Sequence, residues 1–430
     1  MAKKQKIRVV GAGLAGSEAA YQLAKNGYEV ELYEMRPVKM TPAHTGDKFA
    51  ELVCSNSFRS NDLKNAVGII KEEMRRFDSL IMQQAALHQI PAGSALAVDR
   101  EGFSASVSEI LKAMPNITVV NKEFTELDDT PTIIATGPLT SEKLAQTLQE
   151  SFGQDDLHFY DAVAPIVSVD KINFDIAYRK SRYDKGDGDD YINCPMDQET
   201  FMNFYQEVLK AEQAPMREFE DVKVFEACMP IEEMAQRGMK TMLFGPLKPV
   251  GLETPDGKRP YAVVQLRQDD AAASLYNLVG FQTRMKWPDQ KRIIRMIPGL
   301  ENVDIVRYGV MHRNTYLKAP LIMNEYFQSK LHPHIFFAGQ VSGVEGYVES
   351  ASSGLYAALN MMEYLEKETI TGLSGHTMMG SLGRYVANAN PEKFQPMNIN
   401  FGIVTDAIKD REQMAKRSLR EIDAYIKNNA

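Results

Sequence analysis

Lys6-Ile7-Arg8-Val9-Val10, running into Gly11-Ala12-Gly13-Leu14-Ala15-Gly16, is the stretch on which the fold turns. The first five residues form a short β-rich run. The glycines end it, and Ala19, Ala20 and Leu23 then recur at helical spacing up to Gly27. Glu29-Val30-Glu31-Leu32-Tyr33-Glu34 alternates like a second strand. The spacing predicts one βαβ unit, and its turn matches the GxGxxG pattern of dinucleotide-binding folds. Gly11 permits the tight turn, Gly13 lets a pyrophosphate reach the backbone, and Gly16 lets the helix lie close to the strand. Ala12, Leu14 and Ala15 complete the helix start, whose free N–H groups and partial positive charge suit phosphate. Glu34 stands 34 − 11 = 23 residues after Gly11. A carboxylate there accepts ribose hydroxyls and repels a 2′-phosphate. The bland alternative is a glycine-rich turn without a ligand. A lone GxGxxG leaves that open, but strand, helix and acid together argue against it.

Working outward, two further segments decide which dinucleotide. Ile134-Ala135-Thr136-Gly137-Pro138 ends a strand in an ATG pattern common in flavoproteins. Ile335 to Gly339 is an apolar strand entering a second glycine-rich loop, with Gln340, Gly343 and Gly346. A helix over about Ser350 to Leu365 follows. Its N-terminus suits the pyrimidine edge of a flavin, where the reduced ring carries negative charge. The three motifs together favour stably bound FAD over transient NAD. Loop chemistry fills 36–61, and a charged amphipathic helix is expected from Leu63 to His88. Val119-Val120 and Thr132 to Ala135 read as strands. Between about 165 and 330 the βαβ rhythm lapses and Tyr, Asp, Arg and Met become frequent. The expected architecture is α/β: a Rossmann-type FAD-binding domain (1–165) interrupted by an α+β insertion domain (166–330), then resumed with a C-terminal helix (331–430).

Composition limits the function. The chain has 430 residues, 44% apolar and 25% charged, enough to bury a large core. No apolar run reaches the length of a membrane span. Three cysteines, at 54, 194 and 228, form no CxxC pair, which argues against a disulfide scaffold or a metal site and fits a reducing cytoplasm. A net charge of −8 excludes a generally basic nucleic-acid binder, though not a local basic patch.

Longer strings carry a family resemblance: Leu32-Tyr33-Glu34-Met35-Arg36-Pro37, Phe49 to Ser57, Ala97-Val98-Asp99-Arg100, Phe225 to Pro230, Val263 to Gln268 and Tyr308 to Thr315. The chain resembles, over nearly its whole length, the TrmFO family of bacterial folate- and FAD-dependent tRNA (uracil-5-)-methyltransferases, relatives of the GidA flavoproteins. Ala227 and Ser94 stand where the family usually has Gly, and Ile403-Val404-Thr405 departs from its usual tail. The resemblance implies transfer of the one-carbon unit of 5,10-methylenetetrahydrofolate to C5 of a T-loop uridine. Flavin would supply the reducing equivalents and NADPH or NADH would restore them. Action on ribosomal RNA, or GidA-like wobble-uridine modification, is the alternative. The implied partners are tRNA and the small cosubstrates, with no membrane and no metal; the oligomeric state is left open.

That chemistry directs attention to particular side chains. Uracil C5 is a poor nucleophile until a thiolate adds at C6, so a reactive cysteine is needed. Cys228, just before Met229-Pro230-Ile231-Glu232, would lie near a helix start; Cys54 follows Glu51-Leu52-Val53, on the flavin side. The family pattern places cysteines at both. Cys228 is assigned to uracil C6 and Cys54 to the flavin–methylene centre, with the order of roles open. Cys194 is expected to be an idle buried thiol. His312 with Arg313 is the candidate pterin and folate-tail site, against a structural histidine. Arg267 could grip a carboxylate in bidentate fashion, or form a strand-edge ion pair. Trp287, the only tryptophan, is expected in a core. The basic candidates for RNA are Arg179-Lys180-Ser181-Arg182-Tyr183, whose tyrosine could stack a displaced base, Lys286 with Lys291-Arg292 and Arg295, and Lys416-Arg417 with Arg420.

Overall fold

The computed structural model describes residues 5–153, 157–184, 186, 188–214 and 229–429; the side chains of 157–161, 184 and 312–315 lie outside the description. The glycine-rich turn joins β1 (Lys6–Val10) to α1 (Leu14–Lys25), and β2 (Glu29–Tyr33) returns parallel to β1 with Val10 opposite Tyr33. Then follow β3 (Ser57–Ser60), α2 (Ala66–Arg76), α3 (Leu80–Leu87), β4 (Gln89–Ile90), β5 (Ala95–Val98), α4 (Arg100–Ala113), β6 (Ile117–Val120), β7 (Thr132–Ile134) and α5 (Glu142–Phe152). The middle of the chain holds β8 (Leu157–Ala162), β9 (Ile166–Ser168), β10 (Tyr178–Arg179), β11 (Tyr191–Met196), α6 (Gln198–Lys210), α7 (Ile231–Arg237) and α8 (Met239–Phe244). It continues with β12 (Ala262–Gln268), β13 (Leu275–Leu278), α9 (Trp287–Ile294), β14 (Ile305–Arg307), β15 (Met311–Tyr316) and α10 (Ala319–Ile322). The last part is β16 (Ile335–Phe337), α11 (Tyr347–Lys367), α12 (Met378–Asn388) and α13 (Arg411–Asn429).

Five strands form a parallel sheet in the order β16-β7-β1-β2-β6. Ile7 and Val9 of β1, Val30 and Leu32 of β2 and Ile133 and Ile134 of β7 are buried in its core, while Arg8 of β1 pairs with Glu31 of β2. The late strand β16 docks beside β7 with Phe337 opposite Ile134, so the two ends of the chain build one sheet. On one face α1 and α11 cross closely. A Cβ at Gly354 would run into the carbonyl oxygen of Ala15, and one at Gly16 into that of Gly11. The middle segment builds its own antiparallel sheet, β10-β11-β12-β13-β9-β14, over a second core that includes Ile192, Phe201, Leu266 and Ile293. β8 and β15 pair antiparallel as a ribbon, and β3-β5-β4 form a small third sheet.

Three local expectations need correction. The helix expected from Leu63 to His88 is two helices. Asp78 adopts a left-handed φ of 54°, and the Ser79 hydroxyl caps α3 by accepting from the Met82 N–H. Buried Glu18 holds the break by accepting from the Ser79 hydroxyl and the Ile81 N–H. The stretch 36–61 is not all loop, since β3 pairs with β5. And α11 begins at Tyr347, three residues earlier than its small-residue pattern suggested.

Candidate active site

The C-terminal ends of β1, β2, β7 and β16 open on one cleft. Gly11, Gly13, Leu14, Ala15, Glu34, Thr136, Gly137, Gly339 and Gln340 all line it. The three glycines of the turn differ in kind. Gly11 has φ of 99°, and a Cβ there would sit 2.6 Å from the Ala135 carbonyl oxygen. Gly16 is closed by Gly11 itself, whereas a Cβ at Gly13 would meet nothing within 4 Å. Gly13 therefore faces the cleft, at the start of α1, and no side chain among the described residues caps that terminus. Uncapped N–H groups beside a glycine cradle are the donor set a pyrophosphate takes.

Glu34, just past β2, is tied in place: one carboxylate oxygen accepts the Ala12 N–H (3.0 Å), the other the backbone and Nε of Arg36 (3.0 and 2.9 Å). Burial works against its charge, but the hydrogen bond and charge of Arg36, with the two N–H groups, hold the carboxyl below its usual range. Arg36 is itself buried between Glu34 and Glu51 (3.0 Å). Nothing in the local sequence marks Arg36 for the site, because burial of a full guanidinium has no signature in a single sequence.

At the other end of the cleft, Gly339 donates its N–H to the Ser353 hydroxyl (2.7 Å), and Gln340 donates to Glu345 (2.6 Å). Gly343 (φ 85°) lies against the Phe394 ring, and Gly346 (φ 102°) precedes α11. These two shape the helix start without lining the cleft. The first residue of α11, Tyr347, does line it, and its hydroxyl accepts the N–H groups of Cys54 (2.8 Å) and Ser55 (3.0 Å). Burial, with Cys54 adding to it, pushes this phenol up. The residues that could hold a flavin dinucleotide are thus grouped: two uncapped helix starts, an open glycine and a fixed carboxylate around one cleft.

Cys54 is half-buried, its Sγ 3.8 Å from the Ala162 carbonyl oxygen. Three arginines from outside grip its loop. Arg100 donates to the carbonyl oxygens of Leu52 and Cys54 and pairs with Asp269 (2.9 Å). Arg307 donates to the Val53 carbonyl (2.9 Å). Arg267 lies on β12, inside the antiparallel sheet and not at its edge, and donates to Ser55 Oγ (2.8 Å) and Asn56 Oδ1 (3.0 Å). Burial pulls the pKa of both Arg267 and Arg307 down. Cys194 is fully buried on β11, where burial pushes its thiol up.

Cys228 lies outside the described residues; the helix expected after it is present as α7, with Pro230 at its N-cap. His312 and Arg313 lie on β15 opposite Asp161 and Tyr160, and their side chains lie outside the described residues. The basic runs are largely spoken for: Lys180 pairs with Glu253, Lys286 with Glu212, and Arg292 with Asp289 and Glu207. Arg182 and Arg417 donate to backbone carbonyls. Trp287 is not in a core: 59% of its surface is exposed. No helix among the described residues is long and apolar enough to cross a membrane. Among the same residues no cluster of His, Cys, Asp and Glu could hold a metal ion.

The chain is similar to known proteins. A family model described as "Glucose inhibited division protein A" matches residues 6–369. The chain is 58% identical to the methylenetetrahydrofolate–tRNA-(uracil-5-)-methyltransferase TrmFO of Shouchella clausii, across 99% of this chain and 100% of that one. It is 57% identical to the TrmFO of Bacillus subtilis, across 99% of each. Among solved structures, Aquifex aeolicus GidA superposes with a TM-score of 0.70 at 14% identity, covering 97% of this chain and 76% of that one; this bears on the fold alone. By sequence over its whole length, the chain belongs to the TrmFO family, within the wider GidA group.

Proposed function

We propose that this protein methylates C5 of a uridine in the T-loop of tRNA, with methylenetetrahydrofolate as carbon donor and FAD as bound redox group. The observation that carries this is identity of 57–58% over essentially the full length to relatives named for that reaction. The cleft fits FAD by its own geometry: Gly13 is open where Gly11 and Gly16 are crowded. GidA-like wobble-uridine chemistry is disfavoured, because the likeness to GidA is 14% identical and concerns fold. The relatives' names specify tRNA, which disfavours ribosomal RNA.

The chain's own residues then divide as follows. Gly11 to Gly16 and Glu34 bind the dinucleotide, with Thr136, Gly137, Gly339 and Gln340 along the cleft and Gly343 and Gly346 shaping the second helix start. Bound flavin would supply the reducing equivalents that take the carbon from methylene to methyl. NADPH or NADH would restore them. The Cys228 thiolate adds to uracil C6, and the electron pair moves towards C5, which becomes the nucleophile for the one-carbon unit. Loss of the C5 proton and departure of the thiolate restore the ring. Cys54, held by Tyr347 and the three arginines, works at the cleft end of the reaction. His312 and Arg313 bind folate. We assign the FAD domain to 1–165 and 331–430, the insertion to 166–330, and the protein to the cytoplasm.

The test is direct. Purified protein, NADPH, methylenetetrahydrofolate labelled in the one-carbon unit and unmodified tRNA should give labelled 5-methyluridine. Label found only with S-adenosylmethionine, or in another nucleoside, would overturn the proposal.

A further inference from the structure

Trp287 is the only tryptophan of the chain, and it opens α9 with its indole mostly in solvent. The indole lies flat on Tyr308, ring centroids 5.2 Å apart and planes 16° from parallel. Val306, two residues before Tyr308 at the edge strand β14, is exposed as well. Arg307, between them in sequence, donates to the Val53 carbonyl beside Cys54. On the far side of Tyr308, Val310 accepts the Val163 N–H, adjacent to the Ala162 carbonyl that faces Cys54 Sγ. The aromatic pair thus stands next to the loop that carries Cys54. Lys291, four residues after Trp287 and on the same side of α9, is exposed and has no carboxylate within ion-pair distance among the described residues.

We propose that Trp287 and Tyr308 form a stacking platform for an unpaired nucleobase of the RNA substrate, with Lys291 meeting a backbone phosphate. The inference rests on the tRNA-methylation reading above. Its chemistry is that of single-stranded RNA recognition: any base offers a flat π-face to an exposed aromatic ring, and a cation nearby tracks the backbone. A target uridine inside a folded loop has to be displaced before its C5 can be reached, and displacement leaves bases without stacking partners.

Because Trp287 is the sole tryptophan, its emission reports on this surface alone. Adding unmodified tRNA to the flavin-loaded protein should quench that emission saturably. Trp287→Ala should raise the Kd and the KM for tRNA roughly 5- to 150-fold, the equivalent of about 1–3 kcal/mol for one stacked base. Trp287→Phe should recover most of that loss, and the flavin content of each variant reports its folding. Emission unmoved by tRNA, or Trp287→Ala binding tRNA like wild type, overturns the platform. So does emission that responds to methylenetetrahydrofolate alone. If wild type makes no 5-methyluridine, the parent reading fails, and tRNA quenching still decides the platform by itself.

Discussion

Gly13 and Gly16 look alike in the motif and behave oppositely in the fold. Gly16 has no room for a Cβ, because the Gly11 carbonyl fills the space. Gly13 has room, and its φ of −73° suits any residue. Gly13→Val should therefore fold and stay soluble but purify without yellow flavin, since the added methyls occupy only the cradle. Gly16→Val should fail to fold, because it drives α1 off β1. Flavin absorbance per chain, alongside circular dichroism, separates the two outcomes. A Gly13→Val protein with full flavin would move the nucleotide site elsewhere. The motif's spacing made both glycines legible, but not which one packs and which one faces a ligand; that depends on Ala135 and the turn, which only the fold brings near. Arg267 shows the same limit. Its partners Ser55 and Asn56 are more than 200 positions away, so the two readings its sequence allows, a carboxylate ligand or a strand-edge ion pair, both miss the hydrogen bonds it makes. Trp287 misread for another reason: residue type favours burial, but on an amphipathic helix one residue does not say which side faces out.

Elements are fixed by contacts that local pattern only half reveals. The parallel strands β1, β7 and β16 were legible as apolar runs leading into glycine-containing turns, and α1 and α11 as small-residue helices. Their close crossing was not, because it needs Gly354 against Ala15. Gly354→Ala forces the helices apart at the base of the cradle. It should cost about 1–3 kcal/mol by overpacking and weaken flavin retention, read as a lower Tm and faster flavin release on dilution. A second contact of this kind involves α12. Buried Glu73 of α2 accepts the Met378 and Met379 N–H groups at the start of α12, and the Ser418 hydroxyl of α13. Burial raises its pKa to about 7, outweighing those three hydrogen bonds. A carboxyl whose folded pKa is raised binds its proton more tightly in the native state. Its contribution is full below about 4.5 and is lost as pH rises through about 7. Glu73→Gln cannot ionise, so its stability relative to wild type should rise between pH 5 and 8, by up to about 3 kcal/mol. Thermal unfolding of both proteins across that range checks it. The difference also cancels Lys71, whose ammonium burial and nearby arginines pull down to about 7. A pH-independent difference would show that Glu73 is ionised throughout.

At the scale of the whole molecule, two sheets with separate cores meet at the loop carrying Cys54. The parallel sheet supplies the cleft and the antiparallel sheet supplies Arg267, Asp269 and Arg307, so the loop is gripped from both sides. The sequence announced an interruption of the βαβ rhythm, yet not this joint, because the strand order β10-β11-β12-β13-β9-β14 brings β9 between later strands. The joint yields a prediction that separates positioning from cofactor binding. Arg267→Met keeps most of the side chain's volume and removes its donors to Ser55 and Asn56. Asn56 Oδ1 is left buried and unpaired, at about 1–3 kcal/mol, and the loop loses its hold on β12. The glycine cradle, Glu34 and the late helix start lie on the parallel sheet and keep their own hydrogen bonds. The purified variant should therefore be yellow, with a lowered Tm, while methyl transfer to tRNA falls at least about tenfold, in line with a loss of that size. The loss should appear in kcat and leave the KM for tRNA near wild type, since the Arg267 donors are committed to Ser55 and Asn56. Arg267→Lys, which keeps the charge but not the two-armed geometry, should recover little. If Arg267→Met keeps wild-type kcat, the arginine grip does not position Cys54. If it loses flavin in parallel with activity, the two sheets are one cooperative unit and the loop is not a separate joint.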